Sequence, residues 1–252
     1  MNARQFFSGA ILLGGLFLAA GCGRFVAGPH TGAENLRPDE VTDFNRLYAQ
    51  NCSGCHGADG QHGPALALAN PEYQAIVDES TLRNVIANGE AGTLMPAFAQ
   101  SAGGMLTDAQ IDALVKGMRA RWFKAGYLQG AEVPPYQANK QGDAARGQQV
   151  FASACARCHS TGAQPLAASG ANKGGSITDG SFLALISDQA LRAIIIAGRP
   201  DLGHPDWRNA QPGHALSDQE VTDLVAWMAS QRQQTPGQPY PPQAEDGTGK
   251  KL

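Results

Sequence analysis

Two pentapeptides of one pattern, Cys52-Ser53-Gly54-Cys55-His56 and Cys155-Ala156-Arg157-Cys158-His159, stand one in each half of the chain. Two thiols three residues apart can each bond one vinyl group of a porphyrin, and the adjacent histidine is then held beneath the iron as an axial ligand. On this reading Cys52, Cys55, Cys155 and Cys158 are thioether anchors, His56 and His159 are iron ligands, and the chain carries two covalently bound haem c groups. A zinc half-site or a redox dithiol is the alternative. A thioredoxin-like dithiol would lie between a strand and a helix, whereas both copies here follow short helical segments and precede glycine-rich loops.

The length, 252 residues, accommodates two domains of about 100 residues with tails. The 31 glycines and 15 prolines imply much irregular backbone, which a haem-centred domain tolerates because the porphyrin supplies apolar core. A net charge of −3 and a pI near 6.0 give no basic stripe, so no nucleic-acid partner is expected.

Arg4 followed by the uncharged, mostly apolar run Phe6 to Ala20 reads as an export signal over residues 1–21. That run is shorter than the roughly 20 residues a spanning helix needs. Leu18-Ala19-Ala20-Gly21-Cys22 resembles a bacterial lipobox, with Ala19 where leucine is usual. Of the five cysteines four are taken by haem, and lipidation accounts for Cys22. The alternative is ordinary signal cleavage with Cys22 incidental. The expected mature protein sits on the periplasmic side of a bacterial membrane, lipid-anchored through a tether over 22–37.

The halves repeat beyond the cysteines. Leu82-Arg83-Asn84-Val85-Ile86-Ala87-Asn88-Gly89 leads to Leu94-Met95-Pro96-Ala97-Phe98, and Leu191-Arg192-Ala193-Ile194-Ile195-Ile196-Ala197-Gly198 leads to Gly203-His204-Pro205-Asp206-Trp207. Thr107-Asp108-Ala109-Gln110 and Ser217-Asp218-Gln219-Glu220 are capping boxes that open a further helix in each copy. Apolar stripes at helical spacing run through Val41, Phe44, Leu47 and Tyr48, through Ile111, Leu114, Val115, Met118 and Trp122, and through Val221, Leu224, Val225 and Met228. Gly89 and Gly198 stand where a helix ends in a left-handed cap. No stretch alternates long enough to suggest a sheet.

This order of helix, Cys-x-x-Cys-His, loop, helix, ligand loop and closing helix resembles the class I cytochrome c family. The resemblance implies an all-α fold of two tandem cytochrome c-like domains, each around one covalent haem: 38–125 and 143–233, joined by a linker at 126–142 and followed by a disordered tail at 234–252. It also implies a methionine ligand at Met95, with Met105 and Met118 as rivals. In the second copy the aligned position is His204, so a bis-histidine iron is expected there; His214 and an open or water-bound iron are the alternatives. The carbonyls of Pro64 and Pro165 are expected to accept the Nδ1 protons of His56 and His159. Arg83 and Arg192 are read either as propionate partners or as solvated helix-face residues.

Two six-coordinate haems leave no free iron position, so the expected function is outer-sphere electron transfer between a respiratory donor and an oxidase or soluble cytochrome. Thioether ligation raises a haem's potential over imidazole ligation, which makes transfer from the second haem to the first downhill. Peroxide or sulfur-compound chemistry at the second haem, with Asp206 or His214 as acid or base, and a fixed place in a respiratory complex are the competing readings.

Overall fold

The computed structural model describes residues 36–159 and 177–233. The expected export signal, Cys22, Pro165 and the tail at 234–252 lie outside them. As far as Glu40 the chain forms a unit of its own, whose described part is a 3-10 turn, Pro38–Glu40, braced by Arg37 on Glu40. Everything below belongs to the unit that begins at Val41.

The first copy contains α1 (Phe44–Asn51), α2 (Ser53–His56), α3 (Pro71–Ile76), α4 (Glu79–Asn88) and α5 (Asp108–Trp122). The second contains α6 (Ala144–Val150), a π-helical turn (Phe151–Cys155), α7 (Gly180–Leu183), α8 (Asp188–Ala197) and α9 (Asp218–Ser230). No strand forms among the described residues, as expected of an all-α chain.

Short polar side chains start most of these helices. Asp43 accepts from the Arg46 N–H to cap α1, Asp78 from Thr81 to cap α4, and Ser187 from Ala190 to cap α8. Thr107 with Gln110, and Ser217 with Glu220, close both expected capping boxes. α3 was not foreseen, although Asn70-Pro71 supplies a cap and a proline at the first helical position.

In each copy the helix before the haem motif crosses the closing helix, and the crossings are built in opposite senses. Phe44 of α1 lies over Gly117 of α5, where an added Cβ would stand 2.1 Å from the phenyl Cδ2. The ring also meets Trp122 edge-on at 5.8 Å. In the second copy the glycine is on the first helix: a Cβ on Gly147 of α6 would be 2.0 Å from the Asp223 carbonyl oxygen and 2.7 Å from the Trp227 Cβ of α9. Counting from each motif and each capping box, Phe44 aligns with Gly147 and Gly117 with Trp227, so bulk and gap are exchanged.

Arg83 and Arg192 share a structural role. Arg83 on α4 binds Asp108 and Asp112 of α5. Arg192 on α8 binds Asp218 and Thr222, at the aligned positions of α9, and the Pro135 carbonyl. Each therefore ties a middle helix to the first turns of the closing helix. Arg192, buried, also holds the segment expected as a linker; Gln189 and Trp207 bind that segment at the Tyr136 and Glu132 carbonyls.

The copies are joined by α3 against α8. Asn70, 3 % exposed, donates its amide to the carbonyls of Ala197 (2.9 Å) and Gly198 (3.1 Å) while capping its own helix. Ala193 and Ala197 of α8 pack into the first copy's core. Further links run from Ser187 to Glu90, from Arg208 to Glu72 and from Arg199 to the Gly63 and Ala65 carbonyls.

Candidate haem sites

The first motif sits at a helix break. α1 ends at Asn51, and α2 carries Cys55 and His56. The chain then loops back: Ala65 donates to the Cys55 carbonyl at 2.9 Å, and the Tyr48 hydroxyl donates to the Gly57 carbonyl at 2.9 Å. His56 Nδ1 lies 2.8 Å from the Leu66 carbonyl. The acceptor is therefore Leu66 and not Pro64, because the loop bends so that a carbonyl two residues further on reaches the ring. With Nδ1 donating to that oxygen, Nε2 is left as the unprotonated nitrogen a metal requires.

Burial, chiefly, lowers the His56 pKa, and the nearby Arg199 cation adds to it, so the ring is kept neutral. The Cys52 thiol is pushed up to about 12 and Cys155 to about 11, in both cases by burial first and then by the neighbouring cysteine. A redox dithiol needs the opposite, a thiol acidified into a reactive thiolate.

Both ligand loops leave their middle helix through a glycine. Gly89 (φ 67°, ψ −168°) and Gly198 (φ 69°, ψ −176°) have the expected positive φ but an extended ψ, so neither is a left-handed cap. The loop that follows folds back onto them: a Cβ would meet the Met95 carbonyl oxygen at 2.6 Å in one copy and the Pro205 carbonyl at 2.7 Å in the other. Only glycine takes up this backbone readily. Each loop is then closed by a backbone bond, Glu90 N to Met95 O (3.1 Å) or Arg199 N to His204 O (3.0 Å). After the loop, Phe98 and Trp207 donate back to carbonyls at the end of α4 and α8.

Met95 is half-buried, its N–H on the Thr93 hydroxyl at 3.1 Å. Of its rivals, Met105 is 81 % exposed at the surface, and Met118 lies in the core under α5. In the second copy His204 faces His159 across a ring-centroid distance of 5.9 Å, their planes 43° apart. A metal bonded to one nitrogen of each ring at about 2 Å needs centroids about 6 Å apart. His204 Nδ1 is buried with no hydrogen-bond partner among the described residues. Burial lowers its pKa most, then the facing His159, against a raising pull from the Pro205 carbonyl. The π-helical turn before this motif brings the Ala156 N–H onto the Phe151 carbonyl at 2.9 Å.

Two other described histidines, His214 and His62, stand at the surface. His214 is largely exposed, with Nε2 2.8 Å from Glu220. His62 adopts φ 62° and gives its N–H to Asp201 at 2.8 Å. Asp206 is held by Arg208 and Asn209.

These residues fit a haem in each copy: Cys52 and Cys55, or Cys155 and Cys158, as thioether donors, with His56 or His159 beneath the iron. Arg199 was missed in the sequence. The signal was there, since it replaces Glu90 at the aligned position, reversing the charge at the root of a ligand loop.

Residues 39–116 match the family described as cytochrome c oxidase, cbb3-type, subunit III, and residues 144–232 match the family described as cytochrome c. Among solved structures, a KustC0563 c-type cytochrome is 30% identical over 32% of this chain and 99% of its own (TM-score 0.28). The Kuenenia stuttgartiensis reducing HAO-like protein complex Kustc0457/Kustc0458 is 17% identical over 78% of this chain and 99% of that one (TM-score 0.44). The dihydro-heme d1 dehydrogenase NirN in complex with DHE is 27% identical over 49% of this chain and 23% of its own length (TM-score 0.27). With a Cys-x-x-Cys-His motif inside each matched segment, the chain holds two cytochrome c domains in tandem and is a dihaem c-type cytochrome.

Proposed function

We propose that this protein is an electron relay with two unlike haems, ligated by His56 and Met95 in the first domain and by His159 and His204 in the second. The observation that carries it is the pair of imidazoles in the second copy, set at the separation a metal between them requires. Each haem, when bound, supplies a one-electron iron couple. The chain's residues set the difference between the two: a thioether at Met95 favours ferrous iron, and an imidazole at His204 favours ferric iron. Electrons then enter at the second domain and leave from the first. Pro165 is the proposed acceptor of the His159 Nδ1 proton.

The proposed setting is the periplasmic face of a membrane, with lipid on Cys22 as anchor and a respiratory complex, oxidase or soluble cytochrome as partners. No described helix is long and apolar enough to cross a membrane. The ion pair of Asp206 with Arg208 and the exposure of His214 at the surface favour the relay over an enzyme.

The test is a potentiometric titration followed by optical and low-temperature EPR spectra. Two low-spin centres with separated potentials are expected, the lower one changing its spectrum in His204→Met. Equal potentials, or a His204→Met spectrum identical to the parent's, refute the assignment. A high-spin ferric signal in the resting protein points instead to peroxide or sulfur-compound chemistry at the second haem.

A further inference from the structure

Arg199 joins the two haem sites by one side chain. It is 6 % exposed, and its Nη1 donates to the Ala65 carbonyl (2.8 Å) and its Nη2 to the Gly63 carbonyl (3.0 Å). Those residues lead directly into Leu66, whose carbonyl orients His56. Its backbone is paired in both directions with His204: Arg199 N to His204 O at 3.0 Å, and His204 N to Arg199 O at 2.9 Å. Asp201, its side chain 1 % exposed, aims the guanidinium with bonds to Nε (2.9 Å) and Nη2 (2.8 Å). The same carboxylate accepts the His62 N–H of the first domain's loop at 2.8 Å. Fork and carboxylate thus clamp the loop that orients His56 to the loop that carries His204.

A buried ion pair is a poor source of net stability, since desolvation offsets most of the attraction. What it supplies here is a planar five-donor fork that meets two carbonyls and a carboxylate at once, a geometry lysine cannot match. At the aligned position of the first copy Glu90 accepts from Ser187 instead.

We propose that Arg199 is a positioning residue for both haems, fixing the loop that orients His56 through its guanidinium and the loop of His204 through its backbone and Asp201, and coupling both reduction potentials to the balance of charge in the Arg199–Asp201 pair. The inference rests on the reading of His56 and His204 as iron ligands. A cation close to an iron centre favours its reduced form, and an anion favours the oxidised form. With the pair intact the two charges oppose each other. Arg199→Gln leaves a net anion between the sites, and Asp201→Asn leaves a net cation.

The experiment is a potentiometric titration of the full chain with both haems attached, comparing the parent with Arg199→Gln, Asp201→Asn and Arg199→Lys. Arg199→Gln should lower both potentials and Asp201→Asn should raise both. The expected effect on each reduction equilibrium constant is about tenfold, or about 59 mV for a one-electron couple. Arg199→Lys should keep the potentials near the parent's but change the low-temperature EPR signal of the first haem, because the loop that orients His56 loses part of the fork that holds it. A purely structural role predicts shifts of the same sign in both charge variants, or lowered thermal stability with unchanged potentials, and either result overturns the proposal. If Arg199→Gln fails to retain haem, Asp201→Asn decides: a potential that does not rise at either haem overturns it. Failure of the ligand reading is separate, since it appears as an unchanged spectrum in His204→Met with Arg199 intact.

Discussion

Asn70→Asp should separate the two domains energetically while changing a single amide to a carboxyl. The side-chain oxygen that accepts from the Glu72 N–H at 2.9 Å is kept, and aspartate caps a helix as well as asparagine does. The other half of the amide is what matters. It gives two bonds, at 2.9 and 3.1 Å, to the carbonyls of Ala197 and Gly198, which close α8 and have no later helical turn to satisfy them. The variant loses both bonds, about 1 kcal/mol each, and sets a carboxylate oxygen against two carbonyl oxygens in a site only 3 % exposed, which adds about 1–3 kcal/mol. The expected loss is about 3–5 kcal/mol at neutral pH, or about 6–20 °C in Tm.

The site raises the new carboxyl's pKa above its unfolded value, because burial and the two facing carbonyl oxygens disfavour the charge by more than the single Glu72 N–H favours it. The penalty is therefore full above the folded-state pKa and shrinks as pH falls through it, when the protonated group can donate to one carbonyl. Urea unfolding of the parent and the variant, followed by far-UV circular dichroism between pH 4 and pH 8, measures both. A loss under about 0.5 kcal/mol, or a deficit that does not change with pH, would show that Asn70 does not hold the domains together.

Other outcomes follow from the same contacts. Gly147→Ala should cost about 2 kcal/mol net, because its Cβ meets the backbone of Asp223, and Trp227→Ala should not restore the loss in urea melts. Gly117→Ala meets the Phe44 side chain first, at Cδ2, Cγ and Cβ, so adding Phe44→Ala should relieve its clash in a double-mutant cycle. Asp201 is held down at about 2, from an ordinary 3.8, by its Arg199 hydrogen bonds first and by the His62 N–H. Its stabilisation, about 2 kcal/mol, is present above pH 4 and lost as pH falls toward 2, a slope that Asp201→Asn should flatten in acid unfolding curves. Tyr48→Phe removes the bond to the Gly57 carbonyl and should lower stability by about 1 kcal/mol in thermal melts, with both haems still attached by pyridine haemochrome assay.

Features governed by neighbours in the sequence were legible. The 3.6 period placed Ile111, Leu114, Val115, Met118 and Trp122 on one face, and all five are buried along α5. The capping boxes at Thr107 and Ser217 start helices at the expected residues. The motifs were read from their own spacing, Met95 from the family resemblance, and His204 from alignment of the copies. Long-range contacts were not legible. Asn70 and Arg199 find carbonyls more than 120 residues away in the chain, and no local periodicity encodes such a pairing. Leu66 rather than Pro64 meets His56 because the loop's path depends on its packing against Arg199 and Cys55. The ψ angles of Gly89 and Gly198 likewise answer to the strand of chain folded over them.

The exchange of bulk and gap at the two helix crossings bears on how a duplicated chain avoids confusing its own halves. Were α1 to dock on α9, Phe44 would be pressed onto the Asp223 backbone and the Trp227 Cβ, where Gly147 leaves no room for a side chain. Were α6 to dock on α5, Gly147 would face Gly117 across an unfilled hole. Steric overlap of that kind costs about 1–3 kcal/mol, and a void the size of an aromatic ring costs about as much or more. Each opening helix is thereby fitted to its own closing helix, and while the chain folds the cross-matched pairings are the unstable ones.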